Sequence, residues 1–293
     1  MRIFVTGASG WIASAVIPEL LEAGHAVVGL ARSDASAAAV ARLGATVVRG
    51  SLTDHDVLRA AAADAEGVVH LAFPHDDMND LAAGAVIERA AVGAMVAGLS
   101  GTGKPLVAAS GTPVVPGRPS TEDDQMAAGP AGARGENERA LLATVDQDVR
   151  PAVVRLPRSV HGEGDRHGFV PQLVRMFRES GTAMYVGEGT NRWSAVHVAD
   201  AARLFRLALE QAAPAAVLHA VGDEGIAVRT LAEALGERLG LPVGSVGPER
   251  LGFFGLMQTM DHATTAARTR ELFDWTPTHP GLLEDITAGH YDR

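Results

Sequence analysis

Short apolar runs alternate with stretches of helical periodicity through the first half of the chain. Residues 2–5 and 25–31 read as strands; between them Ile17, Leu20 and Leu21 recur at i, i+3, i+4 spacing in a helix over 14–23. Further strands are predicted at 46–48, 67–72, 105–109 and 152–156, and the run 67–72 is apolar enough to be buried on both faces. Helices fall between them at 54–62, with Asp54 as its cap, at 79–99 and at 136–145. Proline and glycine punctuate 113–132, which reads as a long loop over an active site. Such alternation predicts an α/β fold with a doubly wound parallel sheet. After Pro157 the pattern loosens into a helix at 168–180, a short strand at 184–186, a helix at 197–209 and a strand at 216–221. Short helices, among them 229–239 and 264–272, fill the rest. The expected division is a sheet domain over 1–160 with 197–224 returning to it, and a small C-terminal substrate lobe from 161–196 and 225–293.

The turn after the first strand carries the clearest chemistry. Thr6-Gly7-Ala8-Ser9-Gly10-Trp11-Ile12-Ala13 joins strand to helix. In a phosphate cradle Gly7 permits the sharp turn, Gly10 lets backbone approach an anion, and the helix N-terminus offers unpaired N–H groups with partial positive charge. The sheet domain is therefore expected to be a dinucleotide-binding Rossmann domain. Its second strand ends at Arg32-Ser33, where an acid would pair with a ribose 2′-hydroxyl and an arginine with a 2′-phosphate. Arg32 thus favours NADP(H), while the nearby Asp34 keeps NAD(H) open. The alternative for Arg32 is a solvated charge, with Ser33 and Asp34 capping the next helix.

Composition narrows the function classes. The chain has 293 residues and a formal net charge of −10, without a basic cluster, which argues against nucleic-acid and anionic-membrane partners. It has no cysteine, which excludes disulfides, thiolate catalysis and zinc–thiolate sites. The eleven histidines show no ligand spacing, so no metal is expected. Leu81 to Gly101 is the most membrane-like window, but Glu88 and Arg89 interrupt it and a core helix explains it better. The chain enters a strand at once, leaving no room for a signal peptide; the expectation is a soluble, cytoplasmic protein with a small-molecule substrate.

The motifs taken together resemble the extended short-chain dehydrogenases/reductases, closest to the sugar epimerase/dehydratase-like branch. Thr6-Gly7-x-x-Gly10-x-x-Ala13, His70-Leu71-Ala72, Ser110-Gly111-Thr112 and Arg155-Leu156-Pro157-x-x-x-His161-Gly162 stand in that family's order and spacing. So do Asn191-Arg192-Trp193-x-x-x-His197-Val198-x-Asp200 and the closing Trp275-x-Pro277. The resemblance implies NAD(P) in the N-terminal domain and a substrate beside it. It implies a cofactor set of Gly7, Ser9, Gly10, Trp11, Ile12, Arg32, Ser33, Leu52, Leu71, Ala72, Phe73, Arg134, Pro157 and Val160. It also allows a homodimer through helices 79–99 and 133–148.

One departure is serious. The family's Tyr-x-x-x-Lys acid/base pair is missing: alignment places Pro130 at the tyrosine position and Arg134 at the lysine position. The only tyrosines are Tyr185 and Tyr291, and the only lysine is Lys104. Ser110 matches the family's hydroxyl that hydrogen-bonds the substrate oxygen, and a well-placed donor stabilises a developing alkoxide. Arg134 can hold the ribose but cannot deliver a proton. The replacement donors to weigh are His75, oriented by Asp76, and Tyr185, with a loop histidine and a packed tyrosine as the plainer alternatives. Thr112, His161, His167 and Trp193 are the substrate-side candidates, the histidines as gates or proton donors and Trp193 as a wall.

The expected function is an NADP(H)-dependent oxidoreductase that reduces a carbonyl, imine or activated double bond of a small apolar molecule. A non-redox isomerase, lyase or cyclase on the same fold, or a nucleotide-sensing regulator, is the alternative.

Overall fold

The computed structural model describes residues 1–74, 81–126 and 132–292. The first part runs β1 (Arg2–Thr6), α1 (Ala13–Glu22), β2 (Ala26–Ala31), α2 (Asp34–Arg42), β3 (Thr46–Arg49), α3 (His55–Asp64) and β4 (Gly67–His70). It continues through α4 (Leu81–Leu99), β5 (Pro105–Gly111), α5 (Ala133–Leu142), a 3-10 turn at 143–147 and β6 (Arg150–Leu156). Next come β7 (Ser159–His161), α6 (Phe169–Ser180), β8 (Ala183–Val186), β9 (Arg192–His197), α7 (Val198–Gln211) and β10 (Ala216–His219). The chain closes with β11 (Asp223–Ala227), α8 (Val228–Leu239), β12 (Val243–Val246), α9 (Phe253–Gln258), α10 (Ala267–Phe273) and α11 (Leu282–Ala288).

Seven strands form the central sheet in the order β10-β6-β5-β4-β1-β2-β3. β1 pairs in parallel with both β2 and β4, and β4 with β5, so the order reverses direction at β1/β4. Open α/β sheets bind ligands beyond the strand C-termini at such a switch point. One face is closed by α3, α4 and α5: Phe4, Leu58, Val68, Met95, Leu99 and Leu106 share one core. On the other face α1 and α7 lie side by side, tied by Arg206 Nε donating to Glu19 Oε1 at 2.7 Å.

Helix α4 is the one described helix apolar and long enough to cross a membrane by length and composition, over 82–99. Its Met95 and Leu99 are sheet-core residues and Glu88 is buried, which is the pattern of a core helix. Helix α5 starts three residues earlier than its sequence suggests and yields to a 3-10 turn after Leu142. Its buried positions include Gly135, Asn137 and Glu138, so the inward face does not look apolar. Asp54 does not cap α3; its carboxylate accepts from Ser51 N and Oγ instead.

The chain divides into two compact units: 1–110, 125–155 and 202–218 form the first, and 111–124, 156–201 and 219–293 the second. The boundaries differ from the expected 1–160 and 197–224. Residues 111–124 join the second unit because Ser120 bridges Thr264, its N–H bonding to Ala263 O, and Glu122 accepts from Thr269 N. The second unit is built on a sheet absent from the sequence reading, β11-β9-β7, beside the pair β12-β8. Val174, Phe177, Trp193, Leu231, Phe254 and Ile286 fill its core.

Candidate active site

In the first unit, the turn after β1 is a cradle that only glycine can line. Gly7 sits at φ +67°, and a Cβ there would lie 2.8 Å from Ala72 N and 2.9 Å from Leu71 C, in the backbone leaving β4. Gly10 N donates back to Gly7 O at 2.9 Å, closing the turn. No side chain caps α1 and its first turn has no acid, so its partial positive charge is not offset from within. Ser9 and Gly10 are exposed, and Trp11, Ile12, Leu52, Leu71, Ala72 and Phe73 are half-exposed around the strand ends. These residues fit a dinucleotide diphosphate: close backbone approach and a helix N-terminus with no acid in its first turn.

At the tip of β2, Arg32 is exposed. Ser33 Oγ accepts from Ser36 N, so its hydroxyl serves as the cap of α2. Arg49, which ends β3 and escaped the sequence reading, donates to Ser33 O at 2.7 Å and to Asp34 Oδ1 at 2.8 Å. Asp34 is therefore already paired with a cation. A second arginine in this position has no local sequence signal, because only sheet pairing brings β3 beside β2.

Behind the cradle, the C-terminal ends of β1, β4 and β5 carry Thr6, His70 and Ser110. Thr6 Oγ1 lies 2.6 Å from His70 Nδ1, and both residues are buried. Ser110 Oγ, His70 Nε2 and Arg134 Nε are buried without a hydrogen-bond partner among the described residues. All three residues line one small cavity, about 20 Å³, which Glu88 and Asn137 also border. Arg134 Nη2 donates to Ala109 O at 3.2 Å and to Glu88 Oε1 at 3.3 Å, and its guanidinium stacks 4.3 Å from the Phe73 ring centre. Asn137 Nδ2 donates to Glu88 Oε2, and the buried Arg155 Nε donates to Glu138 Oε1 at 3.1 Å. Of the nine buried side-chain atoms without a hydrogen-bond partner among the described residues, three belong to residues lining this one cavity.

In the sequence His70 stands only within the His70-Leu71-Ala72 motif, and no local pattern singles out its ring. His75 lies outside the described residues. Lys104, the chain's lysine, is at the start of β5, its Nζ donating to Ala65 O at 2.7 Å; it is at the opposite end of the strand from Ser110.

The second unit holds the remaining candidates. Thr112, buried, has its Oγ1 3.0 Å from His262 Nε2. Pro157 is buried and Val160 half-exposed. Trp193 is an interior residue, packed near Phe169 and Phe254, and its Nε1 has no partner among the described residues. The surroundings of His161 and Tyr185 differ from the expectation. His161 is no accessible gate: it is 1% exposed and bonded through Nδ1 to the buried Asp285 at 2.6 Å, because β7 is an interior strand. His167 is exposed, and its backbone N–H donates to Asp165 Oδ1 ahead of α6. Tyr185 is packed on β8 under the exposed Arg229, whose guanidinium is 5.6 Å from its ring and pairs with Glu233; its hydroxyl serves no described acid/base group.

The fold also gathers His197, Asp200 and His279, which no sequence spacing reveals, with ligand-type atoms within 4.8 Å of one another. Their bonds are already committed. His197 Nδ1 accepts from Ala199 N, and Asp200 accepts from Thr278 N, His279 N and His279 Nδ1. The two rings stack 4.7 Å apart at 6°, so their in-plane lone pairs run parallel and do not converge on one ion. This is a clamp joining α7 to the segment before α11.

Burial holds His70 and His262 neutral, each pushed down to about 4, with Arg134 and Arg158 as the respective second cause. Both values lie below the unfolded value near 6.5, so on acidification the unfolded chain takes up protons first. Stability from this source is full above about pH 6.5 and is lost as pH falls toward 4, by about 3 kcal/mol per histidine. Urea midpoints measured from pH 7 to pH 4.5 should fall accordingly, and His262→Gln should flatten that slope.

The sheet order, the switch-point cradle and the strand-end polar group define a Rossmann-type nucleotide-binding enzyme. The model of the NAD dependent epimerase/dehydratase family matches residues 3–220, and the chain belongs to that family, within the extended short-chain dehydrogenases/reductases. It is 40% identical over 297 residues to the Saccharomyces cerevisiae protein YLL056C, covering 99% of each chain. It is 28% identical to the 2-alkyl-3-oxoalkanoate reductase of Stenotrophomonas maltophilia, over 74% of this chain and 67% of that protein. Among solved structures, UDP-glucose 4-epimerase of Thermotoga maritima superposes with a TM-score of 0.81 at 20% identity, covering 100% of this chain and 99% of that one. That likeness shows the fold.

Proposed function

We propose that this protein is an NADP(H)-dependent reductase of a carbonyl, imine or activated double bond in a small molecule, working without the family's tyrosine. The observation that carries the reading is the set of unpartnered buried atoms, Ser110 Oγ, His70 Nε2 and Arg134 Nε, at strand ends next to the glycine cradle. Other buried atoms also lack partners, but these three belong to residues that share one cavity, and a site that binds and protonates leaves such atoms for its substrate. The names of two relatives, an oxoalkanoate reductase and a ketoreductase from Stigmatella aurantiaca, support reduction over epimerisation.

When bound, NADP(H) supplies the hydride. Gly7, Gly10 and the start of α1 hold its diphosphate, and Arg32 takes the 2′-phosphate while Arg49 occupies Asp34. Arg134 holds the ribose side and adds positive potential, but keeps its proton. Ser110 donates a hydrogen bond to the substrate oxygen as negative charge develops there. His70, held by Thr6 through Nδ1 and neutral at working pH, presents Nε2 to the same cavity, and the proton given to the substrate oxygen is replaced from solvent water. Each turnover thus moves one hydride to carbon and one proton to oxygen.

The direct test is NADPH oxidation, followed by absorbance, across aldehydes, ketones, imines and enones. Turnover with product identified as the reduced compound supports the reading. NADPH binding without turnover on any of them favours a regulator, and product formed without cofactor favours an isomerase or lyase. Arg32→Ala should weaken NADPH binding about 10- to 100-fold, the value of a charge-assisted contact, and leave NADH binding unchanged by calorimetry. Equal losses for both cofactors would remove the 2′-phosphate role. A homodimer through α4 and α5 belongs to the same reading, and sedimentation at micromolar concentration tests it.

A further inference from the structure

Arg158, between β6 and β7 in the second unit, is a partly buried cation without a counter-charge among the described residues. Its Nε donates to His262 Nδ1 at 2.6 Å and its Nη1 to Met257 O at 2.6 Å, while the guanidinium lies 5.5 Å from the Trp193 ring centre. No carboxylate of the described residues pairs with it; the nearby Asp261 is taken by Arg192. Other arginines set inside the fold are compensated: Arg155 by Glu138, Arg134 by Glu88, Arg206 by Glu19 and Glu210. Arg150 has no acid but donates to Leu209 O and Ala212 O, the carbonyls at the negative end of α7.

The residue that receives Arg158 Nε brings no negative charge. Because His262 Nδ1 accepts that proton, its Nε2 carries the hydrogen and donates to Thr112 O at 3.0 Å. The imidazole is therefore fixed as a neutral strut between Thr112 and Arg158. Three of the guanidinium's five N–H groups remain after these two bonds, including both on Nη2. That edge is the planar fork that matches a carboxylate with two parallel hydrogen bonds. Burial without an acid pushes the guanidinium down to about 10, the direction expected when a cation is desolvated without compensation. Holding such a group unpaired is costly to the fold, which makes sense where a ligand supplies the missing charge.

We infer that Arg158 is a specificity-determining residue that binds the carboxylate of an acidic substrate, so that the molecule reduced is an oxo acid and not a neutral ketone. The substrate role rests on the reductase reading; the anion site does not. Thr112, braced by the same His262, follows Ser110 by two residues along the chain. Trp193, whose Nε1 is buried and unpartnered among the described residues, gives the guanidinium an aromatic neighbour.

The test separates binding from turnover. Octanoate and octanamide differ in charge and not in chain, and neither can be reduced at a ketone. By calorimetry with the full chain, octanoate should bind at least about tenfold more tightly than octanamide. Arg158→Met should erase that difference, and Arg158→Lys, which keeps the charge but not the fork, should restore part of it. In turnover, 4-oxopentanoate should exceed its methyl ester in kcat/KM by a similar factor, expressed in KM, and the ratio should fall toward one in Arg158→Met. Equal binding of octanoate and octanamide to the wild-type protein, or undiminished octanoate binding by both variants, would overturn the inference. If neither keto compound is reduced while octanoate binding still depends on Arg158, the reductase reading fails and the carboxylate site stands.

Discussion

Gly7→Val is expected to remove NADPH binding, raising Kd by about 100-fold or more, while leaving a folded protein. Two costs coincide at this position. A β-branched residue at φ +67° is held in left-handed backbone, which costs about 1–2 kcal/mol for a non-glycine residue. Its Cβ would also stand 2.8 Å from Ala72 N, and backbone cannot step aside as a side-chain tip can. Relief requires that either the β1 turn or the segment leaving β4 move, and both are walls of the cradle. Calorimetric titration with NADPH, alongside circular dichroism to verify the fold, gives the result. Gly10→Ala makes a graded control, since its added Cβ meets only Gly7 O at 3.2 Å. Unchanged NADPH affinity in Gly7→Val would place the cofactor elsewhere and dissolve the proposed chemistry.

Ser110→Ala is expected to lower kcat by about 10²- to 10³-fold, the range for deleting a donor aimed at a developing oxyanion. NADPH affinity should stay within about twofold, because Ser110 is assigned to the substrate oxygen and not to the nucleotide. The change is small in volume and removes a hydroxyl without a partner among the described residues, so stability should not fall. A kcat within about threefold of wild type would show that the hydroxyl is not the donor. His70 would then be the next group to examine, since its Nε2 faces the same cavity.

The cradle and the sheet were legible because local rules produce them. Strand, glycine turn and helix are contiguous in residues 2–23, and each buried strand declares itself by an apolar run. Residues that act through pairing across the sheet were not legible. Arg49 stands beside Asp34 only through the β2–β3 ladder, and His70 meets Thr6 only through β4–β1. Apart from β8, read from the sequence at 184–186, the strands of the second unit also escaped notice. β11, Asp-Glu-Gly-Ile-Ala, has poor strand propensity and pairs with β9 across a register shift. Arg158 followed a recognisable motif, yet its lack of an acidic partner is a property of the folded surroundings. His161, chosen from a loop position, is interior because β7 is a three-residue strand too short to declare itself in the sequence.

Lys104, anchored at the start of β5, has a practical corollary. It is the only lysine in the sequence, and its ammonium sits at the edge of the parallel sheet where strands begin. A support or fluorophore coupled to side-chain amines therefore attaches to the first unit from behind. The mouth of the nucleotide cradle then faces away from the surface, which suits immobilised binding assays for the cofactor.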